Sequence, residues 1–316
     1  MRKLVGIVAA AGLLASLSAC SASPTAFSGC DTSGNAGLVT ADGGFDLDPR
    51  ADFPTPLIAK KAQLAVIHSG DGAKVGLDAG INATVSIYQG DTGEAVNTQS
   101  GAITNVPIRT MVTGNFPFTQ ALSCAQVGSR VITTGTAAQL FGPDALGLDP
   151  KSTLVVVSDI DSTFLGRANG ADQLPVAGLP SIVLAPNGEP GFTFPPGDAP
   201  TSLKIATLKA GNGAKVKKGD SIIVNYTGVL WADAKTVFDS TWDKGNPATL
   251  TATSIADDQT GVVPGFAKAV IGAKVGSQVL VVIPPKDGYP SGSAPTQVPD
   301  GSTMVFVIDI LGIDKK

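Results

Sequence analysis

The sequence predicts an α+β chain built mainly of strands, and three observations carry that prediction. Runs rich in β-branched residues, ATVSIY, SRVITT, TLVVVSDI, SIIVNYTGVL, SQVLVVI and TMVFVIDIL, are bounded by Gly, Pro, Asp and Asn, as strands are. Two short runs of helical period, FTQALSCAQ and FAKAVIGAK, each end at a Val-Gly-Ser turn. Most of these runs have a partner elsewhere in the chain, in the same order, so the architecture reads as a duplicated unit.

In chain order, Arg2 and Lys3 precede a charge-free apolar run from Leu4 to Leu17. That run is shorter than the roughly 20 residues a bilayer-crossing helix needs, so residues 1–19 read as an export signal peptide. It closes on Leu17-Ser18-Ala19-Cys20, which resembles the bacterial lipobox. The resemblance implies a lipidated Cys20, and hence an exported protein anchored to the extracytoplasmic face of a bacterial cell membrane. Residues 20–37 are rich in Ser, Ala, Gly, Thr and Asp, too poor in large apolar groups for a core, and read as a tether. With Cys20 taken by lipid, Cys30 and Cys124 are expected to form a disulfide in an oxidising compartment, two free thiols being the alternative.

The rest of the chain is long enough for two ordinary domains. SGDGAKV (Ser69–Val75) matches AGNGAKV (Ala210–Val216), and FTQALSCAQVGSRV (Phe118–Val131) matches FAKAVIGAKVGSQV (Phe266–Val279) without a gap. VSIYQG set against IVNYTG makes Tyr88 the counterpart of Tyr226; QLFGP pairs with DGYPS and KSTLVVVSDI with GSTMVFVIDI. The expected domains are 38–168 and 180–316, joined by a linker over 169–179. Gly70-Asp71-Gly72 and Gly211-Asn212-Gly213 lead into strand-like runs instead of helices, so they read as hairpin turns and not as phosphate loops.

The net charge is −4 and the basic residues are scattered, which argues against a nucleic-acid surface. His68, the single histidine, falls at the end of an apolar run and reads as a strand-end residue. Neither a Ser-His-Asp set nor zinc-ligand spacing occurs, and no metal or cofactor is expected.

The last third of the chain carries, in order, NYTGVL (Asn225–Leu230), VFDST (Val237–Thr241), VVPGF (Val262–Phe266), GAKVGSQVLVVIPP (Gly272–Pro285), GYP (Gly288–Pro290) and STMVFVIDIL (Ser302–Leu311). This ordered set resembles the FKBP-type peptidyl-prolyl isomerase domain. The resemblance implies two FKBP-like domains, each a twisted antiparallel sheet packed on a short α-helix, the first degenerate. It implies cis–trans isomerisation of Xaa-Pro bonds in exported proteins, with proline-containing polypeptides as substrates and macrolides as inhibitors.

The same resemblance assigns the site. Tyr226, Phe238, Val262, Val263, Phe266, Tyr289 and Phe306 fall on pocket positions, with Phe266 as the floor under the proline ring, where the family usually has Trp. The Tyr289 hydroxyl and the Val263 N–H would hold substrate carbonyls, and Tyr226 with Asp239 would form a polar wall. Lys244 stands where many members have arginine and cannot make its bidentate fork; Val298 would line the loop above the pocket. Ala248 replaces a common aromatic, and the loop from Thr251 to Gly261 is longer than in minimal members. In the first repeat Val96-Asn97 and Phe141 replace the Phe-Asp pair and the hydroxyl-bearing tyrosine, while Phe118 keeps an aromatic floor. A non-catalytic extracytoplasmic chaperone or interaction lipoprotein is the alternative; Tyr226, Phe238, Asp239 and Tyr289 occurring together argue against it.

Overall fold

The computed structural model describes residue 30 and residues 34–45, 49–99, 101–112, 116–233 and 236–314. Cys20 and the apolar run before it lie outside these residues. The first repeat supplies β1 (Gln63–His68), β2 (Gly80–Gln89), β3 (Val106–Met111), α1 (Pro117–Leu122), β4 (Arg130–Thr136), α2 (Ala137–Phe141) and β5 (Thr153–Phe164), and its strands form an antiparallel sheet in the order β1-β4-β5-β2-β3. The second supplies β6 (Ala171–Asp172), β7 (Lys204–Ala210), β8 (Ser221–Leu230), β9 (Val237–Ser240), α3 (Thr241–Lys244), β10 (Ala248–Thr251), α4 (Pro264–Val270), β11 (Gln278–Ile283) and β12 (Met304–Asp314). Its sheet runs β6-β7-β11-β12-β8-β9, with β10 also paired to β8.

The central strands are buried along most of their length because both faces of each sheet are covered. In the second repeat one face packs on α4, with Phe266, Val270, Val281, Phe306 and Ile308 in a single core. The other face, with Leu280, Val282, Val305 and Val307, lies under Leu179, Ile182, Phe192 and Phe194. The first repeat does the same, its back face covered by Ala36, Val39 and Leu57. A disulfide joins Cys30 to Cys124, just beyond α1, with Cα atoms 5.5 Å apart.

Strand register corrects one expected pairing. β2 against β5 and β8 against β12 share the same pattern, including a bulge after Asn82 and after Ile223. Val85 lies opposite Ser158 and Tyr226 opposite Ile308, which are equivalent residues of the repeated KSTLVVVSDI and GSTMVFVIDI runs. Val85, not Tyr88, is therefore the counterpart of Tyr226. An odd shift along a strand moves a side chain to the opposite face: Tyr88 sits in the back core and donates its hydroxyl to the Pro49 carbonyl. The shared Tyr-x-Gly spacing of VSIYQG and IVNYTG is a local coincidence that the sheet overrides.

The glycine-rich turns are also corrected. β1 and β2 are not neighbours, nor are β7 and β8, so Gly70–Gly72 and Gly211–Gly213 turn the chain across the sheet instead of closing hairpins. They must be glycines because the backbone passes against another loop: a Cβ at Gly70 would lie 2.1 Å from the Val127 carbonyl oxygen, and one at Gly211 2.4 Å from that of Val275.

Part of the expected linker is built into the second sheet, since Ala171 and Asp172 pair with Ala210 and Lys209 at its edge. The junction is bonded from both sides. The Leu165 N–H donates to the Leu311 carbonyl at 3.0 Å and the Gly170 N–H to that of Gly276 at 2.9 Å. Arg109 meets Asp314 at 2.6 Å, and Phe164 packs with Ile223 and Leu311.

Two buried carboxylates of the back faces lie in the repeated KSTLVVVSDI and GSTMVFVIDI runs, and the sequence assigns them no role. Asp159 takes two guanidinium bonds from Arg130, at 2.6 and 2.7 Å, and Arg130 also donates to the carbonyls of Gly43 and Gly44. The equivalent Asp309 has the neutral Gln278 beside it at 2.7 Å and accepts the Ala168 N–H at 2.8 Å. Burial pushes the Asp309 carboxyl above its ordinary value of 3.8, while the two N–H donors pull it back. Between 3.8 and that raised value the folded chain holds more protons than the unfolded one, so this group's contribution to stability is lost as pH rises. Asp309→Asn should therefore gain in melting temperature relative to the wild type as pH rises from about 4 to 7. Calorimetry across that range checks it; a difference independent of pH would contradict the assignment.

Candidate functional site

The site is built on the helix-covered face of the second sheet. β8 presents Tyr226, which is 9% exposed, and β12 presents Phe306 directly opposite Gly228. β9 pairs Asp239 with the same Gly228, which brings Phe238 against Phe306. Ser240 then starts α3 by accepting the Trp242 N–H at 3.2 Å, and the left-handed Gly245 ends it. That single turn carries Lys244 back to Asp239, with Nζ to Oδ1 at 2.5 Å.

α4 begins at Pro264, whose missing N–H costs nothing in the first turn. It aims Phe266 at the sheet, 4% exposed. The rings meet edge to face: Phe266 to Phe306 at 5.3 Å, Phe266 to Tyr226 at 5.9 Å and Phe238 to Phe306 at 5.4 Å. This geometry sets positive ring edges on negative faces. Gly228 leaves the room for it, because a Cβ there would lie 2.7 Å from both Phe238 Cζ and Phe306 Cε1. The sequence reading passed over Gly228; a glycine inside a strand run was the available signal.

Val262 ties the loop from Thr251 to Gly261 shut. Its N–H donates to the Thr253 carbonyl at 2.9 Å, and its carbonyl accepts the Ile255 N–H at 2.8 Å. Val263 follows, 5% exposed, with its carbonyl bonded to the Ala267 N–H. Its own N–H has no acceptor among the described residues. Val298 is buried in the same core, and Tyr289 packs partly buried against it.

The polar wall is internally satisfied on one side and open on the other. Tyr226 donates its hydroxyl to Asp239 Oδ2 at 2.6 Å; burial first, then Asp239, pushes that phenol far above the ordinary tyrosine value, so it stays a donor. Burial and the Asp239 charge also push up Tyr289, whose hydroxyl has no hydrogen-bond partner among the described residues. Lys244 is mostly exposed, at 61% of its side chain.

The predicted pocket residues thus come together: Tyr226, Phe238, Val262, Val263, Phe266, Tyr289, Val298 and Phe306 share one cluster, and Asp239 and Lys244 join it through Tyr226. The arrangement offers a dry aromatic seat flanked by two donors, the Val263 N–H and the Tyr289 hydroxyl. The carboxylate that faces it is held by a phenol and an ammonium group.

Comparison with known proteins follows the same residues. A family model described as FKBP-type peptidyl-prolyl cis-trans isomerase matches residues 212–311. A Corynebacterium glutamicum protein named "Probable FK506-binding protein" is 32% identical over 124 residues, which are 39% of this chain and 97% of that protein. The FKBP-type peptidyl-prolyl cis-trans isomerase FkpA of Escherichia coli is 32% identical over 113 residues, 36% of this chain and 38% of that relative. The crystal structure of FkpA from Escherichia coli covers 44% of this chain and 53% of that one, with TM-score 0.32 and 25% identity.

Proposed function

Because the chain belongs to the family of FKBP-type peptidyl-prolyl cis-trans isomerases and shares their activity, we propose that its second domain runs the reaction by seating a proline ring on Phe266. Rotation about an Xaa-Pro bond faces a barrier of about 18–20 kcal/mol, set by amide resonance. The twisted amide has lost resonance and some carbonyl polarity. A dry pocket walled by Tyr226, Phe238 and Phe306 therefore favours it over the planar ground state. No proton has to move. The Tyr289 hydroxyl and the Val263 N–H each hold a substrate carbonyl while the bond turns.

The observation that supports this reading is the pairing of two uncommitted donors with an aromatic seat whose own polar wall is already satisfied. Asp239 then acts as a shaping and electrostatic group, not as a base. Tyr289→Phe removes one hydrogen bond of roughly 0.5–1.5 kcal/mol, so kcat/KM should fall by about tenfold or less. An exchange assay by NMR on a proline tetrapeptide measures it; an unchanged value would remove Tyr289 from the mechanism.

The proposed clients are exported proteins that need proline isomerisation to fold, and the proposed location is the extracytoplasmic face of a bacterial cell membrane. The apolar run Leu4–Leu17 and the Leu17-Ser18-Ala19-Cys20 sequence support it. Two acyl chains are needed for stable anchoring; an unmodified Cys20 in the mass spectrum of the mature protein would overturn this part. One relative is named for FK506 binding. We propose that the same pocket takes macrolides of that kind, more weakly where Lys244 and Ala248 replace arginine and an aromatic.

A further inference from the structure

The first domain holds a cavity of about 550 Å³ at the place that corresponds to the isomerase pocket, lined by Val85, Ile87, Ile108, Phe118 and Phe141 among others. Strand register puts Val85 where the second domain has Tyr226, and Val156 where it has Phe306. The repeated sequences put Val96 at Phe238, Phe118 at Phe266 and Phe141 at Tyr289. Three rings are thus exchanged for valines. Ile87, in place of Gly228, refills only part of the space, and the rest is open. The floor is kept, with Phe118 and Phe141 in contact at 4.9 Å between ring centres.

The chemistry of the lining has changed with its shape. Asn97 stands in place of Asp239, and neither a carboxylate nor a phenol lines the cavity among the described residues. What remains is aliphatic and aromatic, with Thr98 and the backbone of Gly101–Ile103 on its wall. Among the described residues the site lacks the phenol and carboxylate that Tyr226 and Asp239 set beside the second domain's seat. It has more room for an apolar side chain than a pocket filled by three further rings.

We propose that this cavity is a second polypeptide-binding site, which takes a bulky aliphatic or aromatic side chain of an extended client segment and does not isomerise it. The occupant follows from the site's place in the fold. It lies on the same sheet face, under the equivalent helix, as the pocket through which the second domain takes a polypeptide. The junction bonds between Leu165 and Leu311 and between Arg109 and Asp314 hold the two sites together on one chain. A client held at the first site is presented to the second at raised local concentration, with no recognition of proline at the first.

The test uses the full chain and a fluorescein-labelled, proline-free peptide, Gly-Ser-Gly-Leu-Phe-Leu-Gly-Ser-Gly, titrated by anisotropy. The peptide should bind. Val85→Phe, which returns a ring to the cavity, and Phe141→Asp, at its partly buried wall, should each weaken binding by about tenfold or more. The isomerase kcat/KM on a proline tetrapeptide should stay within about twofold in both. Circular dichroism checks folding, and either folded variant suffices to decide. Absence of peptide binding, or wild-type affinity in a folded variant, would overturn the proposal. So would loss of binding in Phe266→Leu alone, which would put the peptide in the second domain's pocket.

Discussion

Phe266→Ala should be the most damaging single substitution in the second domain, lowering stability by about 3–5 kcal/mol and removing measurable isomerase activity. The ring is 4% exposed and supports both Tyr226 and Phe306 edge to face, so its removal leaves a cavity that two other rings border. A loss of that size is a large share of the roughly 5–15 kcal/mol by which domains are stable. On the proposed reading the same ring is the floor under the substrate's proline, so stability and catalysis should fall together. Urea unfolding followed by fluorescence, with activity measured where the variant remains folded, checks both parts. A folded Phe266→Ala protein with wild-type turnover would show that the floor lies elsewhere.

Replacing Cys30 and Cys124 with serine should cost the first domain on the order of 4–5 kcal/mol, the chain-entropy value for closing a loop of this length. The bond spans 94 residues and attaches residue 30 just beyond α1. That helix has six residues and no side-chain cap at Phe116, too short to persist without tertiary support. Denaturation of the first domain should therefore shift to lower urea in the double variant, while the kcat/KM of the second domain is retained. An unfolding curve superimposable on the wild type would show that the bond adds nothing.

Much of the fold was legible because strand and helix signals occur twice. β2, β4, β5, β8, β11 and β12 all lie on β-branched runs, and α1 and α4 lie on the two runs of helical period. What failed was local. A six-residue likeness placed Tyr88 opposite Tyr226, although the glycine-rich match starting at Ser69, continued without a gap, reaches Val85 at that point. Only the ladder of β2 with β5 separates the two, since a strand's facing is set by its partner. Ala171 and Asp172 fall within the expected linker because a two-residue strand is specified by the free edge it meets and not by its own composition.

The site was legible in a different sense. Phe266, Phe306, Val263 and Val298 are buried apolar residues that read one by one as core; the spacing shared with a family singled them out. Gly228 and Asp309 were missed because their roles are relational. The first is defined by the rings it admits, the second by the junction N–H and the amide it accepts from.

The most direct test of the central claim, that turnover belongs to the second domain's pocket alone, is kcat/KM of the intact chain carrying Phe266→Leu or Phe118→Leu. The two substitutions remove equivalent rings from equivalent helices, and leucine keeps each position apolar. Phe266→Leu should lower kcat/KM by about tenfold or more and Phe118→Leu should leave it within about twofold. Equal losses in the two variants, or a loss in Phe118→Leu alone, would contradict the account.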